Sequence, residues 1–313
     1  MARRTPSQIN LLIAVDKPVG MSSHDVVSRV RRAVGERRVG HAGTLDPLAS
    51  GVMVVGIGQA TRLLGMITLD RKRYLARIAF GTETVTDDAE GEVSRVSDPA
   101  RATGDLADEG FARKALSGFL GAQMQVPPAY SAISVGGVRS YRRARSGEDF
   151  ELPPRPIEVY AADLVAIEAG GTPVWDVSFD VSKGAYIRSL ARDLGRACGS
   201  AAHLDGLRRT RSGSISLSSC LPLDEVGLET VRPRALDPVG VLGLLPGELD
   251  ERSIEDVRCG RRVAVSRLRG PMSASDGTEV ALTHAGELCA IARIEGSQLV
   301  MSHVFPQGIE GVR

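Results

Sequence analysis

Gly40-His41-Ala42-Gly43-Thr44-Leu45-Asp46-Pro47-Leu48-Ala49-Ser50-Gly51 is the most informative stretch of this sequence. Its glycines let the chain turn, and Pro47 pushes the backbone at Asp46 away from helical geometry. The apolar run from Val52 to Ile57 follows, so the segment reads as a hinged loop ahead of a buried strand. It presents one carboxylate and one imidazole. By itself, Asp46-Pro47 is also how an ordinary turn begins, and a lone His41 beside glycines is an ordinary loop residue.

Upstream, Ile9 to Val15 reads as a buried strand running into the turn Asp16-Lys17-Pro18-Val19-Gly20. Ser22 or Ser23 then caps a helix with Val26, Val27, Val30, Ala33 and Val34 on its apolar face, and Gly35 stops it. Downstream, Tyr74 to Phe80 reads as a strand. Gly81 to Glu92 reads as a solvated acidic turn, since Glu83, Asp87, Asp88, Glu90 and Glu92 lack calcium-loop spacing. Phe111 to Leu120 has helical spacing, and Gln123 to Pro156 reads as a long irregular insertion. Trp175, Val177, Phe179 and Val181 alternate as one strand face, and Ile187, Leu190, Ala191 and Leu194 line a helix. Pro222 to Leu249, with several prolines and glycines, contains the expected linker to a small all-β domain, whose short apolar runs are Glu279 to Leu282, Leu288 to Ile294 and Leu299 to Val304. The division expected is therefore 1–245 and 246–313. Gly56-Ile57-Gly58 lacks the third glycine of a dinucleotide fingerprint, because Thr61 stands there.

With 39 basic and 38 acidic residues in 313, bulk charge points to no nucleic-acid partner, and any such partner must be read from local patches. Lysine is confined to Lys17, Lys72, Lys114 and Lys183. Cys198, Cys220, Cys259 and Cys289 are too widely spaced for a structural zinc site. No apolar run reaches the length of a signal core or a membrane span, so a soluble cytoplasmic protein is expected.

The twelve-residue stretch resembles the active-site signature of the TruB family of pseudouridine synthases, and Asp46 stands at the position of that family's catalytic aspartate. Further segments resemble the family's motifs in its order: Asp16 to Ser23, Lys72-Arg73-Tyr74, Val126-Pro127-Pro128-Ala129-Tyr130-Ser131-Ala132, Ser182-Lys183-Gly184-Ala185-Tyr186-Ile187-Arg188-Ser189 and Leu207-Arg208-Arg209. The resemblance covers residues 10 to 212. It implies an α+β fold with a large mixed, mainly antiparallel sheet flanked by helices. From about Pro246 a looser resemblance implies a small C-terminal β-barrel of the RNA-binding PUA type.

The implied reaction is isomerisation of uridine to pseudouridine at position 55 in the T-arm loop of tRNA, by a monomer with no cofactor or metal. A carboxylate suffices as nucleophile or base for breaking the glycosidic bond. The resemblance assigns Arg188 as partner of Asp46 and Tyr74 as the ring that receives the flipped base. His41 would occupy the space that base leaves, and Tyr186 and Leu207 would line the uridine pocket. Lys17 would support the catalytic loop or meet a phosphate. Arg139, Arg142 and Arg143, in the insertion of about 123–156, would contact RNA; a charge run alone is usually a solvated face, but Tyr130, Tyr141 and paired glycines flank this one. A non-catalytic tRNA-binding or folding protein on the same scaffold is the alternative.

Overall fold

Polar caps and alternating apolar residues decide where the elements begin and end. The computed structural model describes residues 6–67, 71–98, 105–131, 134–135, 138–140, 143, 152–168, 171–269 and 274–313. The chain divides into two compact units, Met1–Pro47, Gly51–Thr68 and Gly213–Arg313 in one, Leu48–Ser50 and Leu69–Ser212 in the other.

In the first unit, strand β1 (Leu11–Lys17) is buried along almost its whole length. Helix α1 (Ser23–Val34) starts at Ser22, whose hydroxyl accepts from the Asp25 amide while the Asp25 carboxylate accepts from the Ser22 amide. Such a reciprocal cap contributes about 1 kcal/mol. The helix ends at Gly35, whose left-handed φ of 66° disfavours any Cβ. Strands β2 (Val39–Ala42) and β3 (Ala49–Ile57) pair antiparallel, and β1 pairs antiparallel with β3 from Leu11 opposite Ile57 to Lys17 opposite Gly51. Val26, Val27, Val30 and Val34 pack into one core with Leu11, Ile13, Val15, Met53, Val55 and Ile57. Ala33, expected among them, sits at the edge of that stripe and is exposed. The glycine at 58 answers a steric demand: with φ at 61°, a Cβ there would lie 2.2 Å from the Ile9 carbonyl oxygen.

The second unit holds β4 (Arg71–Phe80), the hairpin of β5 (Thr82–Thr84) and β6 (Val93–Val96), and helix α2 (Glu109–Ser117), capped by Asp108. There follow β7 (Gly121–Gln125), the two-residue strands β8 (Ser134–Val135) and β9 (Val138–Arg139), then β10 (Arg155–Glu168) and β11 (Val174–Ser182). Helix α3 (Ile187–Ala197) and β12 (Ala202–Ser212) complete it. Its sheet runs β12-β4-β11-β10-β7 with antiparallel neighbours. Trp175, Val177, Phe179 and Val181 are buried, as their alternation requires, and the Trp175 indole donates to the Leu106 carbonyl at 2.7 Å. The irregular stretch is shorter than the sequence suggests, because its ends belong to β7 and β10. On the opposite face Asp180, fully buried, accepts from Arg71, Arg73 and Arg211.

In the rest of the first unit, Cys220–Pro222 pairs parallel with β1, which makes that sheet mixed. Much of the stretch expected to contain the linker is packed: Leu223, Val226, Val231 and Ala235 join the α1 core. Its prolines and glycines shape helical turns, with Pro238 following the Asp237 cap and Gly243 ending the turn at φ 67°. Leu245–Leu249 then enters a six-stranded sheet with Glu279–His284, Glu287–Glu295 and Gln298–Glu310, edged by Val263–Ala264 and Leu268–Arg269. Helix α4 (Glu251–Arg258) buries Ile254 and Val257 with Leu249, Val280, Leu282 and Leu299. This is the small C-terminal barrel-like sheet that the sequence led us to expect, within an α+β fold. No described helix is long and apolar enough to cross a membrane.

Candidate active site

Asp46 lies half-buried in the loop between β2 and β3. Backbone groups on both sides of it are pinned. Lys17, the fully buried last residue of β1, donates from Nζ to the Pro18 carbonyl at 2.9 Å and the Pro47 carbonyl at 3.4 Å. The Gly20 amide donates to the same Pro47 oxygen at 2.8 Å. Ser23, at the start of α1, donates from Oγ to the Leu45 carbonyl and accepts from the Leu45 amide, both at 2.9 Å. A buried ammonium is tolerable only with such acceptors, and here they hold the carboxylate's loop against the β1–α1 corner. His41, in β2, is half-buried and packs edge to face on His24 with ring centroids 5.9 Å apart. Among the described residues, no three His, Cys, Asp or Glu side chains could together hold a metal.

Tyr74 points inward from β4 and is buried, with Phe179 and Arg209 opposite it on the neighbouring strands. Arg209 is itself fully buried, a placement the sequence did not announce. Arg188, second residue of α3, is buried; its Nη1 donates to the Thr86 carbonyl at 2.9 Å and stands 3.4 Å from Asp88 Oδ2. Its Nη2 donates to the Tyr130 carbonyl at 3.0 Å. A cation in the first turn opposes the helix dipole, so those acceptors matter to its placement. Tyr186, the half-buried N-cap of α3, is gripped by Gln125: its amide donates to Oε1 at 2.8 Å and its carbonyl accepts from Nε2 at 3.0 Å. Leu207 is half-buried on β12, opposite Ala76. Lys17, His41 and Asp46 thus belong to one unit, and Tyr74, Tyr186, Arg188 and Leu207 to the other. Arg139 lies in β9 with its side chain outside the described residues, Arg142 lies outside them altogether, and Arg143 is half-buried.

The acidic stretch is not the solvated turn its composition suggests. Glu90 and Glu92 are exposed, but Glu83, Asp87 and Asp88 are buried. Their partners come from α3: Arg188 faces Asp88, Arg192 donates to Asp87 at 2.8 Å, and Arg196 grips Glu83 with bonds of 3.0 and 2.7 Å. Burial alone would raise the Glu83 carboxyl; Arg196 and Arg95 outweigh it and hold the group below its ordinary range. Burial pushes Asp87 up to about 6 even beside Arg192 and Arg188. Its backbone sits at a φ of 62°, uncommon outside glycine. Apart from Arg95, the compensating cations are remote in sequence, with Arg192 separated from Asp87 by 105 positions. The available signal was the four-residue spacing of Arg188, Arg192 and Arg196 on one helix face.

The sequence model of the TruB family pseudouridylate synthase N-terminal domain matches residues 31–187, and that of the tRNA pseudouridylate synthase B C-terminal domain matches 188–239. The protein is of the pseudouridine synthase class. A solved Cbf5–Nop10–Gar1 complex agrees in fold, with a TM-score of 0.65 at 25% identity, covering 95% of this chain and 84% of that one. The chain is 50% identical over 239 residues to tRNA pseudouridine synthase B of Streptomyces avermitilis, covering 74% of this chain and 77% of that protein. It is 43% identical over 304 residues to tRNA pseudouridine synthase B of Paenarthrobacter aurescens, covering 95% of each. The chain belongs to the TruB family.

Proposed function

We propose that this protein isomerises uridine to pseudouridine at position 55 in the T-arm loop of tRNA, with Asp46 as the catalytic carboxylate. The observation that carries this reading is the family match across residues 31–239, which spans the pinned Asp46 loop, Tyr74 and Arg188. The relatives named tRNA pseudouridine synthase B supply the substrate class.

Isomerisation leaves atom count and oxidation state unchanged: the N-glycosidic bond breaks, the base turns, and a carbon–carbon bond replaces it. The reaction therefore needs a positioned carboxylate and a closed site more than an electron carrier. In this reading Asp46 performs the covalent or proton-transfer step, and Arg188 pairs with it to keep it ionised. Tyr74 receives the flipped base, because a base must leave its stack to be reached. Tyr186 and Leu207 line the uridine pocket, and His41 fills the gap in the RNA loop. Lys17 holds the catalytic loop. Arg139, Arg142 and Arg143 contact the RNA from the 123–156 insertion. Residues 1–245 form the catalytic domain and 246–313 an RNA-docking domain of the PUA type, in a monomer working in the cytoplasm.

The test is pseudouridine mapping of an unmodified tRNA transcript after incubation with the purified protein, with Asp46→Asn alongside. A single new pseudouridine in the T-arm loop, absent with the variant while tRNA binding persists, is the expected result. Turnover by Asp46→Asn would remove Asp46 from its role. Modification elsewhere would overturn the substrate, and tight binding without modification would favour a tRNA-folding protein.

A further inference from the structure

Arg188, Arg192 and Arg196 of α3 face Asp88, Asp87 and Glu83 as three successive rungs, but the rungs differ in what else they hold. Arg196 is 55% exposed, and among the described residues its side chain bonds to Glu83, which Arg95 also holds at 2.7 Å. Arg188 bridges two separate stretches, the Thr86 carbonyl on one side and the Tyr130 carbonyl on the other. Arg192 bridges the same two stretches one turn further along. Its Nη1 donates to Asp87 Oδ2 at 2.8 Å, its Nη2 to the Val126 carbonyl at 3.1 Å, and its Nε to Asp193 at 2.9 Å. Ser189 adds a third tie, donating to that Val126 oxygen at 2.9 Å.

Two parallel crossbars therefore join residues 86–88 to residues 126–130. The first crossbar is Arg188 itself. Its guanidinium is placed by two carbonyls that lie on the stretches the second crossbar fixes. The side chains of Arg192 and Asp87 are 12% and 11% exposed, so this pair is sheltered and geometrically fixed.

We propose that the Asp87–Arg192 pair is a positioning pair for Arg188: it holds the 86–88 and 126–130 stretches at the separation at which both of their carbonyls meet the Arg188 guanidinium. This rests on the reading of Arg188 as partner of Asp46. Displacements of about 1 Å at a reacting centre can cost on the order of 100-fold in rate. Loosening a brace one turn away should cost less, about tenfold.

The test compares wild type, Arg192→Gln and Arg196→Gln in single-turnover pseudouridine formation at saturating tRNA, with tRNA Kd and thermal unfolding measured on each. Arg192→Gln is expected to lose about tenfold in rate with Kd within about twofold of wild type, while Arg196→Gln keeps both. An unchanged rate for Arg192→Gln, a loss that appears only in Kd, or an equal rate loss in Arg196→Gln overturns the proposal. In those cases an active wild type leaves the proposed function standing. A wild type that modifies no tRNA removes both.

Discussion

Ser7 and Gln307 bond to each other at two points, the Ser7 amide donating to Oε1 at 3.3 Å and Nε2 donating to the Ser7 carbonyl at 3.0 Å. The same Oε1 accepts from Gln59 Nε2 at 2.9 Å, so one amide links the start of the chain, the turn after β3 and the last strand. The Glu310 amide donates to the Asn10 carbonyl at 2.8 Å, and Arg62 lies over the Phe305 ring at 4.9 Å. The C-terminal sheet is thus fastened within the first unit. Gln307→Ala should lower unfolding stability by about 1–2 kcal/mol, because partly buried donors and acceptors lose their partner. An unchanged midpoint in urea would contradict this.

Lys17 offers a sharper separation between structural support and phosphate contact. Its ammonium bonds to the Pro18 and Pro47 carbonyls and is fully buried. Lys17→Met keeps the length and removes the donors. The expected outcome is a rate at saturating tRNA reduced about tenfold or more, with tRNA Kd unchanged. A weaker Kd with an unchanged rate would assign Lys17 to the phosphate backbone instead.

At Gly58 the backbone conformation and the close approach of Ile9 act together. Gly58→Ala places a methyl group against a backbone oxygen that cannot rotate away. A loss exceeding about 2 kcal/mol is expected, seen as a lower thermal midpoint. A midpoint within a degree or so of wild type would show that the crossing can relax.

Asp87 gives a pH prediction with a definite sign. Its carboxyl lies at about 6 in the folded chain against an ordinary value of 3.8, with burial as the main cause. Protonation therefore favours the folded state. That contribution is complete below about 3.8 and is lost as pH rises through about 6. Asp87→Asn cannot ionise, and asparagine tolerates the positive φ. Relative to wild type, its stability should improve by about 1 kcal/mol between about pH 5 and pH 8. Parallel stability curves would contradict the shift.

How much of this was readable beforehand depended on whether the deciding partners were near in sequence. Helix α1 was legible because Ser22, the valine stripe and Gly35 state its start, face and stop within a few residues. β11 was legible from the alternation of Trp175 to Val181. β10 was not, because its outward residues and two register shifts dilute the alternation. The buried acids were missed because Glu83, Asp87 and Asp88 meet arginines from a helix far along the chain. Within Pro222 to Leu249 the packing of Leu223, Val226, Val231 and Ala235 was not legible, because prolines and glycines that shape tight packed turns look like a linker to composition alone. Asp46, Tyr74 and Arg188 were picked out by family resemblance; periodicity alone would have left them as a turn former, a packing residue and a helix-start cation.

The first two rungs of α3 also bear on how the protein can be handled. Side-chain exposure is 6% for both Arg188 and Asp88, and 12% and 11% for Arg192 and Asp87. Mobile ions screen exposed charges, with a Debye length of about 3 Å at 1 M salt, but reach sheltered pairs far less. Phosphate contacts made by surface arginines weaken steeply under the same conditions. Concentrated salt should therefore strip bound nucleic acid while these rungs remain formed, so that dialysis returns a protein ready to work without refolding.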